Sequence, residues 1–200
     1  MAGDAGDREL LARIRAGDKS ACDECVRRHA PGVYRLALRM MRNEAEAEDV
    51  MQETFLNAFK GIDRFDGRAG LRTWLYRIAY NAALTRLLRT RPEFVSVDEA
   101  GEPQGSTPLP KEFLDWSSLP EREVERSELR AELENAIREL PEKMRVVFVM
   151  RELEELSTGE TAEALGVAEE TVKTRLHRAR MRLRERLSSY FAAGDQVAQG

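Results

Sequence analysis

Ser157-Thr158-Gly159-Glu160-Thr161-Ala162-Glu163-Ala164-Leu165-Gly166-Val167 is the stretch that decides the fold. A serine followed three residues on by a glutamate is a capping box. The Ser157 hydroxyl accepts from a free backbone amide while Glu160 reaches back, so a helix starts there. It runs through Ala162 and Leu165 and stops at Gly166. After Val167 comes a second helix whose apolar residues are Val172, Leu176, Ala179, Leu183 and Leu187. Two short helices packed through small and aliphatic residues around a glycine turn form a helix-turn-helix, and the outer face of the second is free to enter a major groove. On that face stand Lys173, Thr174, Arg175, His177 and Arg178. Arginine grips guanine through two hydrogen bonds, threonine touches the thymine methyl, and lysine meets phosphate as a point charge. A basic helix is also compatible with a plain solvated face or a coiled-coil arm. The cap, the glycine turn and the preceding helix together favour the DNA-reading motif.

The charge of the whole chain points the other way until it is mapped. A net charge of −4 over 200 residues argues against nucleic acid only if it is evenly spread. From Arg64 to Arg91 there are seven arginines against one acid, Asp66, and from Lys173 to Arg186 seven basic residues against Glu185. The acids gather at Glu44 to Glu53 and from Glu121 onward, so separate surfaces are expected to serve separate partners. The strongest apolar run, Val146-Val147-Phe148-Val149-Met150, is far short of the ~20 residues a bilayer span requires. Met1 to Asp7 is small and acidic, unlike a secretory signal, and two cysteines make no disulfide framework. A cytoplasmic protein without membrane insertion is expected.

With 42% hydrophobic and 34% charged side chains, the chain suits one or two small domains. No window shows a two-residue alternation bounded by hairpin turns, and the fold class is all-α. Ala47, Val50, Met51, Thr54, Phe55, Ala58 and Phe59 fall on one helical stripe, which leaves Glu46, Glu48, Asp49, Gln52 and Glu53 on the wet face. A second helix is predicted from about Leu71 to Leu88, with Leu75, Ile78, Ala79, Ala82 and Ala83 inward and Arg72, Arg77 and Arg86 outward. Gly61 to Gly70 reads as a loop between them. Five of the seven prolines lie between Arg91 and Val124, in a stretch where acids outnumber bases. That stretch reads as an acidic, proline-rich linker, although Phe94, Phe113, Leu114 and Trp116 are too apolar for an inert spacer and equally suit a patch on a domain surface.

Specific motifs now carry a resemblance. Leu140-Pro141-Glu142-Lys143-Met144-Arg145-Val146-Val147, Glu155-Leu156-Ser157, Leu165-Gly166-Val167 and Thr171 to Arg180 resemble domain four of the extracytoplasmic-function (ECF) sigma factors, RpoE-like members of the sigma-70 family. Ala16-Gly17-Asp18, Pro31 to Leu38, Glu48 to Phe55 and Thr73 to Asn81 resemble domain two of the same family. The resemblance implies domain two at 8–91, a linker at 92–124, domain four at 125–188 and a tail at 189–200. It implies a protein that binds core RNA polymerase and directs initiation by recognising −35 and −10 promoter elements. A one-component helix-turn-helix regulator is the rival reading, and it leaves domain two unexplained.

The resemblance also assigns residues. Glu46, Glu48, Asp49, Gln52 and Glu53 would dock on the clamp helices of the polymerase β′ subunit, with the β subunit a further contact, although a solvated face explains the same charges. The loop Phe65 to Leu71 and the helix bearing Asn81 would capture an unstacked base of the melted −10 strand. Asn81 supplies the amide, Arg68, Arg72, Arg77 and Arg86 the charge, and Leu71 the loop's end. Trp74 could stack on DNA but sits at helical spacing from Ile78, which favours the core. The −35 element would meet Glu170, Thr171, Lys173, Thr174, Arg175, His177 and Arg178. An anti-sigma factor is an expected partner.

Glu169 and Glu170 depart from the family's usual glycine, and favour either the helix dipole or a hydrogen bond from cytosine N4. Thr161 and Thr85 also depart, standing where an aliphatic residue and an acid are more usual. Cys22, Cys25 and His29 share a helix face but leave zinc short of a fourth ligand, so they are expected to pack as core rather than bind metal. No nucleophile constellation, phosphate loop or paired-carboxylate site is present, so neither an enzyme nor a cofactor is expected.

Overall fold

A computed structural model describes residues 3–90 and 123–197, with side-chain environments for 6–90 and 131–188. The proposed linker and its Phe94, Phe113, Leu114 and Trp116 lie outside the described residues. Among the described residues there are eight α-helices and no strand. The N-terminal ones are α1 (Gly3–Arg15), α2 (Lys19–Met41), α3 (Glu44–Gly61) and α4 (Leu71–Thr90). The C-terminal ones are α5 (Glu123–Glu139), α6 (Glu142–Phe148), α7 (Thr158–Leu165) and α8 (Glu169–Val197).

Local chemistry places the ends. Asp18 caps α2, accepting from the amides of Ser20 and Ala21, and the Ser20 hydroxyl followed by the Arg13 guanidinium hold its carboxyl down at about 2. Asn43 caps α3 through the Glu46 amide at 3.0 Å. Ser157 and Glu160 form the expected capping box on α7, and Gly166 ends that helix at φ 66°, a conformation that favours glycine. No glycine or proline interrupts α8 before Gly194, and it runs on through the start of the proposed tail.

The expected stripe on α3 is observed: Ala47, Val50, Thr54, Phe55 and Ala58 are buried against α2 and α4. Leu71, Leu75, Ala79, Ala82 and Ala83 of α4 complete this core with Val33, Leu36, Ala37 and Met40 of α2. In the C-terminal half, Val146, Val147 and Phe148 of α6 pack on Val172, Leu176 and Ala179 of α8. A π-helical turn at Val149–Leu153 continues α6, and Glu155 then takes φ 54° to turn the chain into α7. Arg145 is buried and donates to the carbonyls of Arg138 and Leu140, closing the end of α5, and burial lowers its pKa to about 10.

The gap between Phe65 and Leu71 is shorter than the predicted loop, because a 3-10 turn at Ile62–Arg64 follows α3 and buries Ile62. Arg15 of α1 donates to the carbonyls of Ile62 and Phe65 and fixes the start of that loop. The two helical domains do not stand apart. Helix α4 packs along α7, and α2 meets α6 and the π-turn.

Candidate functional site

Three surfaces emerge from these helices. The first is the wet face of α3, where Glu48, Asp49, Gln52 and Glu53 are exposed and Glu46 is half-buried next to its cap. The same face continues into Leu56, which is 59% exposed. Sequence reading passed over Leu56. Its signal was available, since a leucine three residues after Glu53 and four after Gln52 lies off the apolar stripe.

The second surface is the exposed side of α4 with its preceding loop. Arg77 and Asn81, one turn apart, are both exposed. Arg68 stands out at the loop, its amide and guanidinium held by Asp66, whose own pKa is lowered chiefly by that amide. Trp74 packs half-buried on Phe65 with ring centroids 4.7 Å apart. Three residues expected on this surface make contacts within the chain. Leu71 is 1% exposed and anchors the start of α4 in the core. Arg86 lies on the opposite side of α4 from Arg77. It donates to Asp49 at 2.7 Å with Glu53 at 3.9 Å, so it belongs to the acidic face. Arg72 is exposed and also donates to the Glu154 carbonyl, with the Glu154 carboxylate at 3.6 Å.

The third surface is the first half of α8. Val172 and Ala179 are fully buried and Leu176 nearly so. Lys173 is exposed and pairs with Glu170 at 3.3 Å, and Glu169 and Glu170 occupy the first turn where the helix dipole favours them. Thr171, Thr174, Arg175, His177 and Arg178 are half-buried. The basic run is less uniform than its composition implied. Arg180 is spent on Glu152 at 2.6 Å, and Arg186 on Glu132 and Glu139, so both tie helices together.

Between the domains lies a feature that no sequence pattern marked. Glu154, only 1% exposed, accepts from Arg35 Nε at 2.6 Å and Nη2 at 2.8 Å, and from the Tyr76 hydroxyl at 2.7 Å. Burial, then this carboxylate, raises the pKa of Tyr76 and keeps it a donor. Next to them is a cavity of about 280 Å³ lined in part by Arg28, His29, Arg72 and Glu154. His29 is desolvated there, which lowers its pKa. Cys25 is buried in α2 and its thiol is pushed up to about 11 by desolvation, as suits a packed side chain. Among the described residues no group of three or more side chains is arranged to hold a metal ion.

Residues 25–93 match sigma-70 region 2, and residues 130–183 match sigma-70 region 4. The chain is 36% identical over 180 residues to the ECF RNA polymerase sigma factor SigW of Bacillus subtilis, covering 90% of this chain and 96% of that one. The chain belongs to the ECF sigma factors. The ECF RNA polymerase sigma-E factor of Haemophilus influenzae is 33% identical over 90% of this chain and 94% of its own. A solved structure of CnrH in complex with the cytosolic domain of CnrY superposes with a TM-score of 0.65 at 27% identity, over 92% of this chain and 97% of that one. The sigma factor RpoE of Bartonella quintana, solved in complex with the anti-sigma factor NepR, shares the fold at a TM-score of 0.60 and 22% identity, over 83% and 96% of the two chains. As an ECF sigma factor the protein directs RNA polymerase to promoters, and its family is not one of enzymes. No described helix is long and apolar enough to cross a membrane.

Proposed function

We propose that this sigma factor uses its three surfaces for three contacts during initiation: the α3 face for core polymerase, the α4 face for the −10 element and the α8 face for the −35 element. The division runs near 8–91 for domain two, 92–124 for the linker and 125–188 for domain four. The observation that carries the reading is the separation of chemistry onto different faces. An acidic strip carrying exposed Leu56 suits a protein surface, whereas Arg77, Asn81 and Arg68 suit an unstacked base and its phosphates. On α8, Arg175 and Arg178 suit base edges, Lys173 suits phosphate, and Glu170, Thr171, Thr174 and His177 border them.

The β′ clamp helices are the polymerase element proposed to meet Glu46, Glu48, Asp49, Gln52 and Glu53, and the β subunit the one proposed for domain four. An anti-sigma factor is a proposed partner, supported by the fold shared with RpoE of the NepR complex. The cytoplasm, where core polymerase resides, is the proposed location. A one-component regulator would need only the helix-turn-helix and leaves the region 2 match without a use.

The test is transcription from a randomised promoter library with reconstituted core polymerase. The double variant Asp49→Lys with Glu53→Lys is expected to bind core at least tenfold more weakly while remaining folded by circular dichroism. Arg178→Ala is expected to relax one −35 position at about 1–3 kcal/mol. Holoenzyme formation at wild-type affinity by the double variant would overturn the polymerase face, and an unchanged −35 preference in both Arg175→Ala and Arg178→Ala would overturn the reading helix.

A further inference from the structure

We propose that Arg15, the last residue of α1, is a positioning residue for −10 recognition: it gathers the two carbonyls that bracket the start of the loop after α3 and holds that loop in the shape that accepts a base. The inference rests on the assignment of the loop and α4 to the −10 element. It adds α1 to that machinery, although Arg15 precedes residues 25–93, the stretch that matches sigma-70 region 2.

The loop is strung between two buried anchors. Phe65 is 5% exposed and Leu71 1%, while Asp66, Gly67, Arg68 and Gly70 between them are exposed. The Trp74 ring pins Phe65, and the Trp74 amide donates to the Gly70 carbonyl at 3.0 Å, so both ends of the loop are tied to the first turn of α4. Inside the loop, Asp66 accepts from the Arg68 amide at 3.1 Å and from its guanidinium at 2.6 Å, with Gly67 at φ 74° between them. That turn is local chemistry. Arg15 supplies the contact from outside. Its Nη2 donates to the Ile62 carbonyl at 3.2 Å and to the Phe65 carbonyl, and its Nε lies 3.4 Å from the former. The Ile62 carbonyl also receives the Phe65 amide at 3.3 Å, so one guanidinium braces the 3-10 turn and the first anchor of the loop together. A planar fork spans two acceptors that an ammonium would meet singly. Arg13, two residues earlier on α1, is committed instead to Asp18 and Glu24.

Preorganisation of this kind acts on discrimination more than on attraction. A loop that has to order itself on contact binds the correct base more weakly, in proportion to the fraction of time it is already ordered. The pull of arginines on phosphate requires no particular loop shape and is the same for every sequence. Loss of Arg15 therefore penalises the correct −10 sequence and spares the wrong ones. The −35 element, read from α8, is untouched by it.

The test uses holoenzyme reconstituted from the full chain and core polymerase, with initiation measured on a promoter selected from the randomised library and on its single-base variants at −10 and −35. Wild type is compared with Arg15→Ala, Arg15→Lys, Arg13→Ala and Asn81→Ala. A wrong base in a recognition element ordinarily costs about 5- to 150-fold. Arg15→Ala is expected to shrink the −10 ratio by about fivefold and to leave the −35 ratio unchanged, with Arg15→Lys between it and wild type. Arg13→Ala, on the same helix, is expected to keep both ratios. Amide exchange in the free protein gives a second reading, in which the Phe65 amide exchanges faster in Arg15→Ala and not in Arg13→Ala. A folded Arg15→Ala holoenzyme with the wild-type −10 ratio would overturn the positioning role. Equal losses at −10 and −35, or the same loss in Arg13→Ala, would overturn it too, because α1 would then act only through stability. If Arg15→Ala does not fold, Arg15→Lys decides by the same two ratios. An unchanged −10 preference in Asn81→Ala would remove the assignment of this surface and the positioning role with it, whereas a relaxed preference there beside an unchanged one in Arg15→Ala would remove the positioning role alone.

Discussion

Inside each domain apolar side chains fill the core and ion pairs such as Arg86 with Asp49 and Arg186 with Glu132 lie at its edge, whereas between the domains a carboxylate, Glu154, is itself buried among guanidinium and hydroxyl donors. Val50, Ala79 and Ala83 are buried where α3 packs on α4, and Val147 and Ala179 where α6 packs on α8. Across the seam Arg35 and Tyr76 bond Glu154 and Arg39 pairs with Glu134, beside the packing of α4 on α7 and of α2 on α6. The two kinds of contact respond differently to change. An apolar core gains from area removed from water and tolerates many residues of similar volume. A buried ion pair gains little net energy over separated hydrated ions but fails sharply when one partner is altered.

Deleting core volume should have the largest effect. Leu75→Ala, at a site 1% exposed in the centre of α4, is expected to destabilise by about 2–5 kcal/mol in urea unfolding. A loss under 1 kcal/mol would mean that the α2–α4 interior is no tighter than the seam. Glu154→Gln comes next, at about 1–2 kcal/mol, below the range for a fully buried pair because Arg35 can rehydrate. A cost equal to that of Leu75→Ala would erase the distinction between the two seams. Ser157→Ala removes the hydroxyl half of the α7 capping box and is expected to cost about 1 kcal/mol, read by the same denaturation.

Acid gives the smallest and most local effect. The carboxyls of Asp18 and Glu160 are both depressed, Asp18 to about 2 from 3.8 chiefly by the Ser20 hydroxyl and Glu160 from 4.5 chiefly by that of Ser157. A group whose folded pKa is depressed stabilises above its unfolded value and ceases to do so as pH falls through the folded one. The cap of α7 should therefore weaken as pH falls below about 4.5, and that of α2 as pH falls from about 3.8 toward about 2. Amide protection factors in the first turns of α2 and α7 that stay unchanged as pH falls from 6 to about 2 would count against these caps.

Residue periodicity and capping chemistry are local, and they were enough to read the all-α class, the stripe on α3, the start of α7 at Ser157 and its end at Gly166. The acidic face of α3 and the exposure of Arg77, Asn81 and Lys173 followed from the same periods, because each helix has one face for its own core. What periodicity could not decide is which outward residues meet another element. Arg72, Arg77 and Arg86 are alike in sequence, yet one faces Glu154, one faces solvent and one faces Asp49. Likewise Glu154 and Glu155 are adjacent acids with nothing to separate them until the turn at Glu155 sends one inward and the other to water. The burial of Glu154 depends on contacts over 78 residues of chain with Tyr76 and 119 with Arg35, and no local rule carries that information. The sequence alone therefore determined the helices, their inner faces and their family. Only the packing of one domain on the other decided which charges are free to meet a partner and which are held within the chain.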